Sequence, residues 1–356
     1  MDSNATTGEA MRWDHMRLRS AEADTEGAAP APLPLPFEGA GVRVRTIDTP
    51  EFRGVTFYEI RAKSILNRVP ASSPVPFGWT VNPYRGCTHA CTYCFARNTH
   101  TYLDLDAGHD FDSRIVVKIN AGEVLRRELG ARSWAGEHVA MGTNTDPYQR
   151  AEGRYGLMRE VLTALRDHAN PFSILTKGTL VLRDLDLLTE AAQVTDVRVN
   201  VSVGFVDAAL WRQVEPGTPN PRARLGVCRA LTDAGIGCGV LMAPVLPYLT
   251  DTDEHLEATV AAIAEAGAVA VTPLPLHLRP GAREWFFGWL RGARPDLVGA
   301  YRRLYREGSY APAEYTQAVV ARVREIAKSY GIGGRTPSEA RAIEPEVPAS
   351  QQLTLL

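Results

Sequence analysis

Three of the chain's five cysteines, Cys87, Cys91 and Cys94, fall on one short stretch at Cys-x3-Cys-x2-Cys spacing. Three thiolates on a single loop can wrap one compact cluster. Iron prefers thiolate ligands, and a four-iron cluster presents four corners, so three cysteines leave one iron open. An open metal position is where a substrate or cofactor binds, as an open zinc position shows. Two other arrangements use the same residues: a structural zinc with His89 or His100 as fourth ligand, and a set of buried, packed thiols. Structural zinc sites usually pair ligands from two separated hairpins, and no second pair exists here. Three cysteines so close in one loop are also an unusual way to fill a core. The spacing therefore favours a cluster, and the low, odd cysteine count points to a reducing, cytoplasmic compartment rather than a disulfide framework.

A loop of this kind needs a scaffold, and the chain supplies alternating strand-like and helix-like segments. Candidate strands are Trp79–Asn82, His138–Thr143, Phe172–Thr176, Val197–Val203, Ile236–Met242 and Val269–Thr272. Between them lie helical patterns, one of which puts Leu157, Val161, Leu162 and Leu165 on a single face. About six strand–helix units predict an α/β fold with a parallel sheet, closed only in part: an open β/α barrel. Pro273 and Pro275 fall in the last strand, where a missing N–H suits an edge. Pro244 and Pro247 predict that the fifth strand stops early and that 243–247 is a mouth loop. In such barrels the chemistry gathers at the C-terminal strand ends.

The domain reading follows. Residues 1–40 are a Pro-rich, disordered lead, 41–290 the barrel with an N-terminal extension, 291–335 a helical region, and 336–356 a flexible tail. The segment 103–137 reads as a substrate-shaping insertion. With 356 residues and 45% apolar content the chain can bury a large core. A net charge of −2 makes no broad electrostatic case for nucleic acid or membrane. No run of about 18 apolar residues predicts a membrane span. Basic residues are nearly all arginine; the only lysines are Lys63, Lys118, Lys177 and Lys328. Under such a bias, a lysine that survives marks a place where a compact ammonium does what a guanidinium does not.

The cysteine spacing, the aromatic Tyr93 before the last cysteine, and the position after a first barrel strand resemble the radical S-adenosylmethionine superfamily. NPYRGCTHACTYCFARNTHTYL (82–103), GTNTDPYQ (142–149), LTKGTLVLRDLDLL (175–188) and VSVGF (201–205) tighten the resemblance to its spore photoproduct lyase-like branch, with AKSILNRVP (62–70), VKIN (117–120) and RALTDAGIGCGVLMAPVLP (229–247) in support. The resemblance implies an enzyme with a 4Fe-4S cluster and S-adenosylmethionine as cofactors, and a reductant such as flavodoxin or ferredoxin. The cofactor's methionine end would chelate the open iron, one electron would break a sulfur–carbon bond, and the resulting deoxyadenosyl radical would take a hydrogen atom from a substrate.

The candidate metal ligands are Cys87, Cys91 and Cys94. Candidate cofactor-binding residues are Tyr93 and Phe95 against the adenine, Thr143, Thr145 and Asp146 near the methionine ammonium, and Lys177 and Ser202 at later strand ends. The superfamily often carries a Gly-Gly-Glu-like element where this chain has GTNTDPYQ, which leaves the donor–acceptor pairing open. Each candidate has a plainer role: core packing for Phe95, a turn cap for Asp146, a barrel filler for Ser202, a solvated strand end for Lys177. His89, His100 and His109 read as loop or capping residues. Arg97, Tyr148, Arg150, Arg183 and Arg279 are candidates to line a substrate path, or are solvated surface groups.

Photoproduct lyases use a further cysteine downstream of the cluster motif as hydrogen donor. Here the remaining cysteines lie much later: Cys228 on an amphipathic helix, and Cys238 on the fifth strand, the candidate catalytic donor. Two classes of substrate stay open, DNA or nucleotides on one side and a peptide or small molecule on the other, beside a non-catalytic iron–sulfur scaffold or sensor. The last residues, Gln352–Leu356, resemble the pentapeptide by which bacterial repair proteins dock on the DNA sliding clamp, an extended peptide with apolar anchors.

Overall fold

The computed structural model describes residues 43–47, 49–73 and 75–332. The lead over 1–40 and the tail with its Gln352–Leu356 peptide lie outside the described residues.

Eleven strands are present among the described residues: β1 (Arg43–Thr46), β2 (Thr56–Ile60), β3 (Leu66–Arg68), β4 (Trp79–Val81), β5 (Tyr84–Arg85), β6 (Arg114–Lys118), β7 (Val139–Met141), β8 (Phe172–Thr176), β9 (Val197–Ser202), β10 (Cys238–Val245) and β11 (Ala270–Pro275). Six of them, in the spatial order β4-β7-β8-β9-β10-β11, pair in parallel. The short β3 adds antiparallel outside β4. This is the open, six-unit parallel barrel that the strand–helix alternation predicts. Covered on both faces, β7 is apolar throughout: Val139, Ala140 and Met141 are all buried.

The connecting helices bury the faces their periodicity marks. Helix Leu157–Asp167 turns Leu157, Val161, Leu162 and Leu165 inward, with Met158 and Ala164 beside them. Helix Pro221–Asp233 starts at Asn220, whose side chain accepts from the Arg222 N–H, and Pro221 takes the first helical position, where its missing N–H costs nothing. At the open edge, β11 pairs among the described residues with β10 alone, which suits Pro273 and Pro275. Helix Ala313–Ser329 packs over β11 and helix Asp253–Glu265 and buries Val319, Val323 and Ala327. That part of the C-terminal region therefore caps the barrel.

Two expectations need correction. The fifth strand does not stop before Pro244; β10 runs on to Val245, with a register shift against β11 between Met242 and Val245 and a cis Ala243–Pro244 bond. A proline is tolerated in a strand at such an irregularity, where no ladder N–H is demanded of it. The segment 103–137 is not an insertion. It contains β6, which pairs with β2 and β5 in a second sheet of order β1-β2-β6-β5. It also contains helix Ala121–Leu129, which packs on helix Leu157–Asp167. β5 ends at Arg85, two residues before Cys87, so this second sheet fixes the root of the cysteine loop.

Candidate active site

The cysteine loop leaves β5 through Gly86, whose φ of +78° is open to glycine and strained for other residues. All three of its cysteines are free thiols, and all line one wall of a cavity at the C-terminal ends of the barrel strands. Burial pushes the three thiols above their ordinary range, so each sits protonated until a metal displaces the proton. Among the described residues no three His, Cys, Asp or Glu side chains are grouped to hold one metal ion. A single zinc needs its ligands to converge at about 2.0–2.3 Å from one point. The thiols of a cluster bind separate irons and need not converge on one point, so three thiols along one cavity wall suit a cluster.

Three clamps hold the loop. Arg97, fully buried, donates through Nε and Nη2 to the Cys91 carbonyl at 3.2 and 2.9 Å and through Nη1 to the Gly108 carbonyl at 2.8 Å. It pairs with Asp112 at 2.9 Å and lies 4.7 Å from the Trp285 ring centroid. Gln149 accepts from the Thr88 N–H and donates to the Gly86 carbonyl. The third clamp comes from the loop after helix Ala208–Val214. Gly217 donates to the His89 carbonyl, Thr92 donates to the Val214 carbonyl, and the Tyr93 hydroxyl donates to Glu215. Glu215 also takes Nη2 of Arg224; both side chains are 1% exposed. Burial would raise the Glu215 carboxyl, but Arg224, Lys177 and Tyr93 outweigh it and hold it below the usual range.

Opposite the cysteines, successive strand ends contribute one group each. Lys177, just past β8, donates from Nζ to Ser202 Oγ at 2.8 Å, and Ser202, ending β9, donates to the Ala243 carbonyl of β10 at 3.1 Å. Lys177 Nζ also stands 5.8 Å from the Tyr93 ring centroid, which joins the two walls. Gly142 enters the cavity after β7 with φ +82°; a Cβ there would lie 1.8 Å from the Leu175 carbonyl oxygen, so only glycine permits the approach.

The cavity thus gathers Cys87, Cys91, Cys94, Tyr93, Phe95, Thr145, Asp146, Lys177 and Ser202. Thr145 and Asp146 are more committed than the sequence suggests. Thr145 donates to the Tyr84 carbonyl at 3.1 Å. The Asp146 oxygens accept from the Thr176 hydroxyl and the Lys177 N–H, each at 2.6 Å, and from the Tyr148 N–H at 2.9 Å. Burial works against the Asp146 carboxylate, yet His89 at 3.4 Å and these donors keep its carboxyl below the ordinary value.

Two candidates fall outside the cavity. Thr143 points the other way and lines a neighbouring polar pocket. Cys238 opens β10 at its N-terminal end, fully buried, with its Sγ directed at the Gly239 carbonyl and the Cys228 thiol beside it. A thiol in the core at the far end of the strand cannot meet a substrate at the mouth, so the expected donor role of Cys238 is corrected. Likewise Arg97 clamps the loop, Tyr148 is buried and donates to Asp184, and Arg183 pairs with Glu152 and Asp184; none of the three is among the residues lining the cavity. Arg279 does stand at the mouth, 5.6 Å from the half-exposed Phe95 ring.

Sequence reasoning missed Glu215, Arg224, His277 and Tyr310. The Pro216-Gly217 turn signal after Glu215 was the available hint, since Gly217 touches the Thr88 carbonyl so closely that a Cβ would sit 2.1 Å from it. His277 lines the cavity and stands 5.5 Å from the Phe95 ring and 5.6 Å, stacked, from Tyr310.

An uncharacterized protein of Mycobacterium tuberculosis (strain ATCC 25618 / H37Rv) is 52% identical over 307 residues, 86% of this chain and 89% of the relative. An uncharacterized protein of Methanocaldococcus jannaschii is 27% identical over 56% of this chain and 71% of its own. Among solved structures, spore photoproduct lyase complexed with dinucleoside spore photoproduct superimposes with TM-score 0.59 at 16% identity, covering 77% of this chain and 79% of that chain, a likeness of fold. The family model described as "Radical SAM superfamily" matches residues 81–262, from the end of β4 to the helix after β10. The chain belongs to the radical SAM superfamily and is an enzyme of that family, whose cofactors are a 4Fe-4S cluster and S-adenosylmethionine.

Proposed function

We propose that Cys87, Cys91 and Cys94 hold the cluster, that Lys177 and Ser202 orient S-adenosylmethionine from the opposite strand ends, and that the substrate is a nucleotide or nucleic-acid strand. When bound, the reduced cluster supplies the electron that cleaves S-adenosylmethionine to a hydrogen-abstracting radical. The chain's own part is placement and exclusion of water. Tyr93, held by Glu215 and facing Lys177, sets the loop against the strand ends, while Gly142 leaves room for a close backbone approach. A flavodoxin- or ferredoxin-type reductant completes the reading, and the Gln352–Leu356 peptide would bring the enzyme to a DNA sliding clamp.

One observation carries the substrate class. The cavity mouth is an aromatic surface with a cation over it: Phe95 and Tyr310 are 39% and 61% exposed, His277 lies between their rings, and Arg279 sits over Phe95 and donates to the Tyr310 hydroxyl at 3.2 Å. Flat rings with an arginine form a stacking platform for bases, worth about 1–3 kcal/mol per stacked base. The donor differs from that of a photoproduct lyase with a thiol, because Cys228 and Cys238 are both core residues. Fluorescence anisotropy of a labelled single-stranded oligonucleotide on the reconstituted enzyme tests the reading. Binding that weakens about tenfold in Phe95→Ala and Tyr310→Ala supports it. Absence of binding to intact or ultraviolet-irradiated strands sinks it and favours a peptide or other small molecule.

A further inference from the structure

Two tyrosines of the C-terminal region pin the ends of β10 and β11. Tyr301, in helix Val298–Leu304, donates from its hydroxyl to the Pro247 carbonyl at 2.6 Å, and Tyr305 donates to the Leu276 carbonyl at 2.7 Å. Their rings stack with centroids 6.0 Å apart, and both are fully buried. Each tyrosine thereby fixes a residue that precedes an aromatic ring: Tyr248 follows Pro247, and His277 follows Leu276. His277 belongs to the aromatic surface at the cavity mouth, 5.6 Å from Tyr310. Tyr248 stands edge-on to Tyr301, 5.7 Å between centroids, and is 45% exposed. A series of contacts through Tyr301, Tyr305 and Leu276 therefore joins Tyr248 to the mouth.

The backbone at Tyr248 makes the residue type unusual. Its φ is +64°, in the left-handed region that glycine and asparagine occupy most readily. The turn itself closes without the ring: the Thr250 N–H returns to the Leu246 carbonyl at 2.9 Å, and the Leu246 N–H donates to the Thr250 hydroxyl at 2.8 Å. A bulky residue held in this region, with close to half its surface in solvent, costs stability, and residues of this kind gather at ligand clamps. An exposed tyrosine ring offers a flat face to a base of any identity.

We propose that Tyr248 is a second base-stacking residue, and that the enzyme takes a single nucleic-acid strand of several nucleotides, running from the cavity mouth across the ends of β10 and β11, in preference to a mononucleotide. The inference rests on the function proposed above and deepens it. A mononucleotide has one base and stacks at one place only. A longer strand stacks at the mouth and at Tyr248 together, and the tethered second contact raises its affinity.

The test uses reconstituted, cluster-loaded enzyme and fluorescence anisotropy of labelled oligothymidylates of two to eight nucleotides, with thymidine monophosphate as competitor. Wild-type affinity should rise at least about tenfold with length, a gain of the size one stacked base gives. Tyr248→Asn should lose that gain and still bind the shortest strand as the wild type does. Tyr248→Phe, which keeps the ring, should retain the gain. The melting temperature of Tyr248→Asn should equal or exceed that of the wild type, because asparagine accepts the left-handed backbone. A residue kept only for packing would give the reverse: a lower melting temperature and equal losses at every length. That result, or a length dependence unchanged in Tyr248→Asn, overturns the second stacking site. Binding that depends on Phe95 and Tyr310 but not on Tyr248 leaves the proposed function standing and overturns this inference alone. No binding of any strand to the wild type overturns both.

Discussion

The Tyr93 hydroxyl donates to the carboxylate of Glu215, a residue 122 positions away in the chain, and Glu215 in turn takes the guanidinium of Arg224. The residue just before the last of the three loop cysteines is thereby tied to helix Pro221–Asp233. The same arginine donates to the Ser202 carbonyl at 2.7 Å, so one buried network reaches both the cysteine wall and the strand-end wall of the cavity.

Breaking this network from one side should be severe. Glu215→Ala leaves Arg224 buried without its carboxylate, and removal of one member of a buried pair costs about 3–5 kcal/mol. Denaturant unfolding should show a loss of that order in Glu215→Ala. The double variant Glu215→Gln/Arg224→Met should recover a large part of it, because no lone charge remains. Equal losses in both would contradict the network.

Arg97→Lys should impair the cluster loop although charge is kept. A lysine cannot reproduce the fork that meets the Cys91 carbonyl, the Gly108 carbonyl and Asp112 together. Iron and sulfide per chain after anaerobic reconstitution should fall at least twofold. An unchanged content would assign Arg97 to packing alone.

Gly142→Ala and Gly156→Ala separate steric from conformational cost. Both glycines have positive φ, +82° and +63°, but only at Gly142 does a Cβ collide with backbone. Gly156→Ala should cost about 1–2 kcal/mol, the penalty of a left-handed residue. Gly142→Ala should cost more and weaken S-adenosylmethionine binding, read by equilibrium dialysis with the loaded enzyme.

Stability should fall with acid from a window set by His100. Burial presses this imidazole from 6.5 down to about 4, while its Nε2–H donates to the Arg114 carbonyl at 2.9 Å. The unfolded chain takes up a proton near pH 6.5 that the folded chain refuses until about pH 4. The contribution is therefore complete above pH 6.5 and lost as pH drops toward 4, by at most about 3 kcal/mol. His277 is depressed to a similar value by burial and by Arg279. Unfolding measured across pH 4–7 should slope less steeply in His100→Gln than in the wild type; identical slopes would remove His100 as the cause.

Much of this was legible in the sequence, and the exceptions share a cause. The six barrel strands are apolar runs between amphipathic helices, and the cysteine loop is a local motif, so both are visible in short windows. β1, β2, β5 and β6 are two to five residues long and pair across distant segments, which hides the second sheet in a region that reads as insertion. Glu215 and Arg224 carry no local signal because their partners Tyr93 and Ser202 are distant in the sequence. Cys238 lies on the expected strand, but strand membership alone does not say which end of the barrel a residue occupies. Thr143 and Thr145 sit two apart in the loop after β7, beyond the reach of strand alternation, and they line different cavities.

The central claim is tested most directly under anaerobic conditions. Wild type and Cys91→Ala are reconstituted with iron and sulfide, reduced with dithionite and incubated with S-adenosylmethionine, and 5′-deoxyadenosine is measured. The account predicts a four-iron cluster and deoxyadenosine from the wild type, and neither in appreciable amount from Cys91→Ala. A wild type that takes up zinc in place of the cluster, or that holds a cluster and forms no deoxyadenosine, would contradict it.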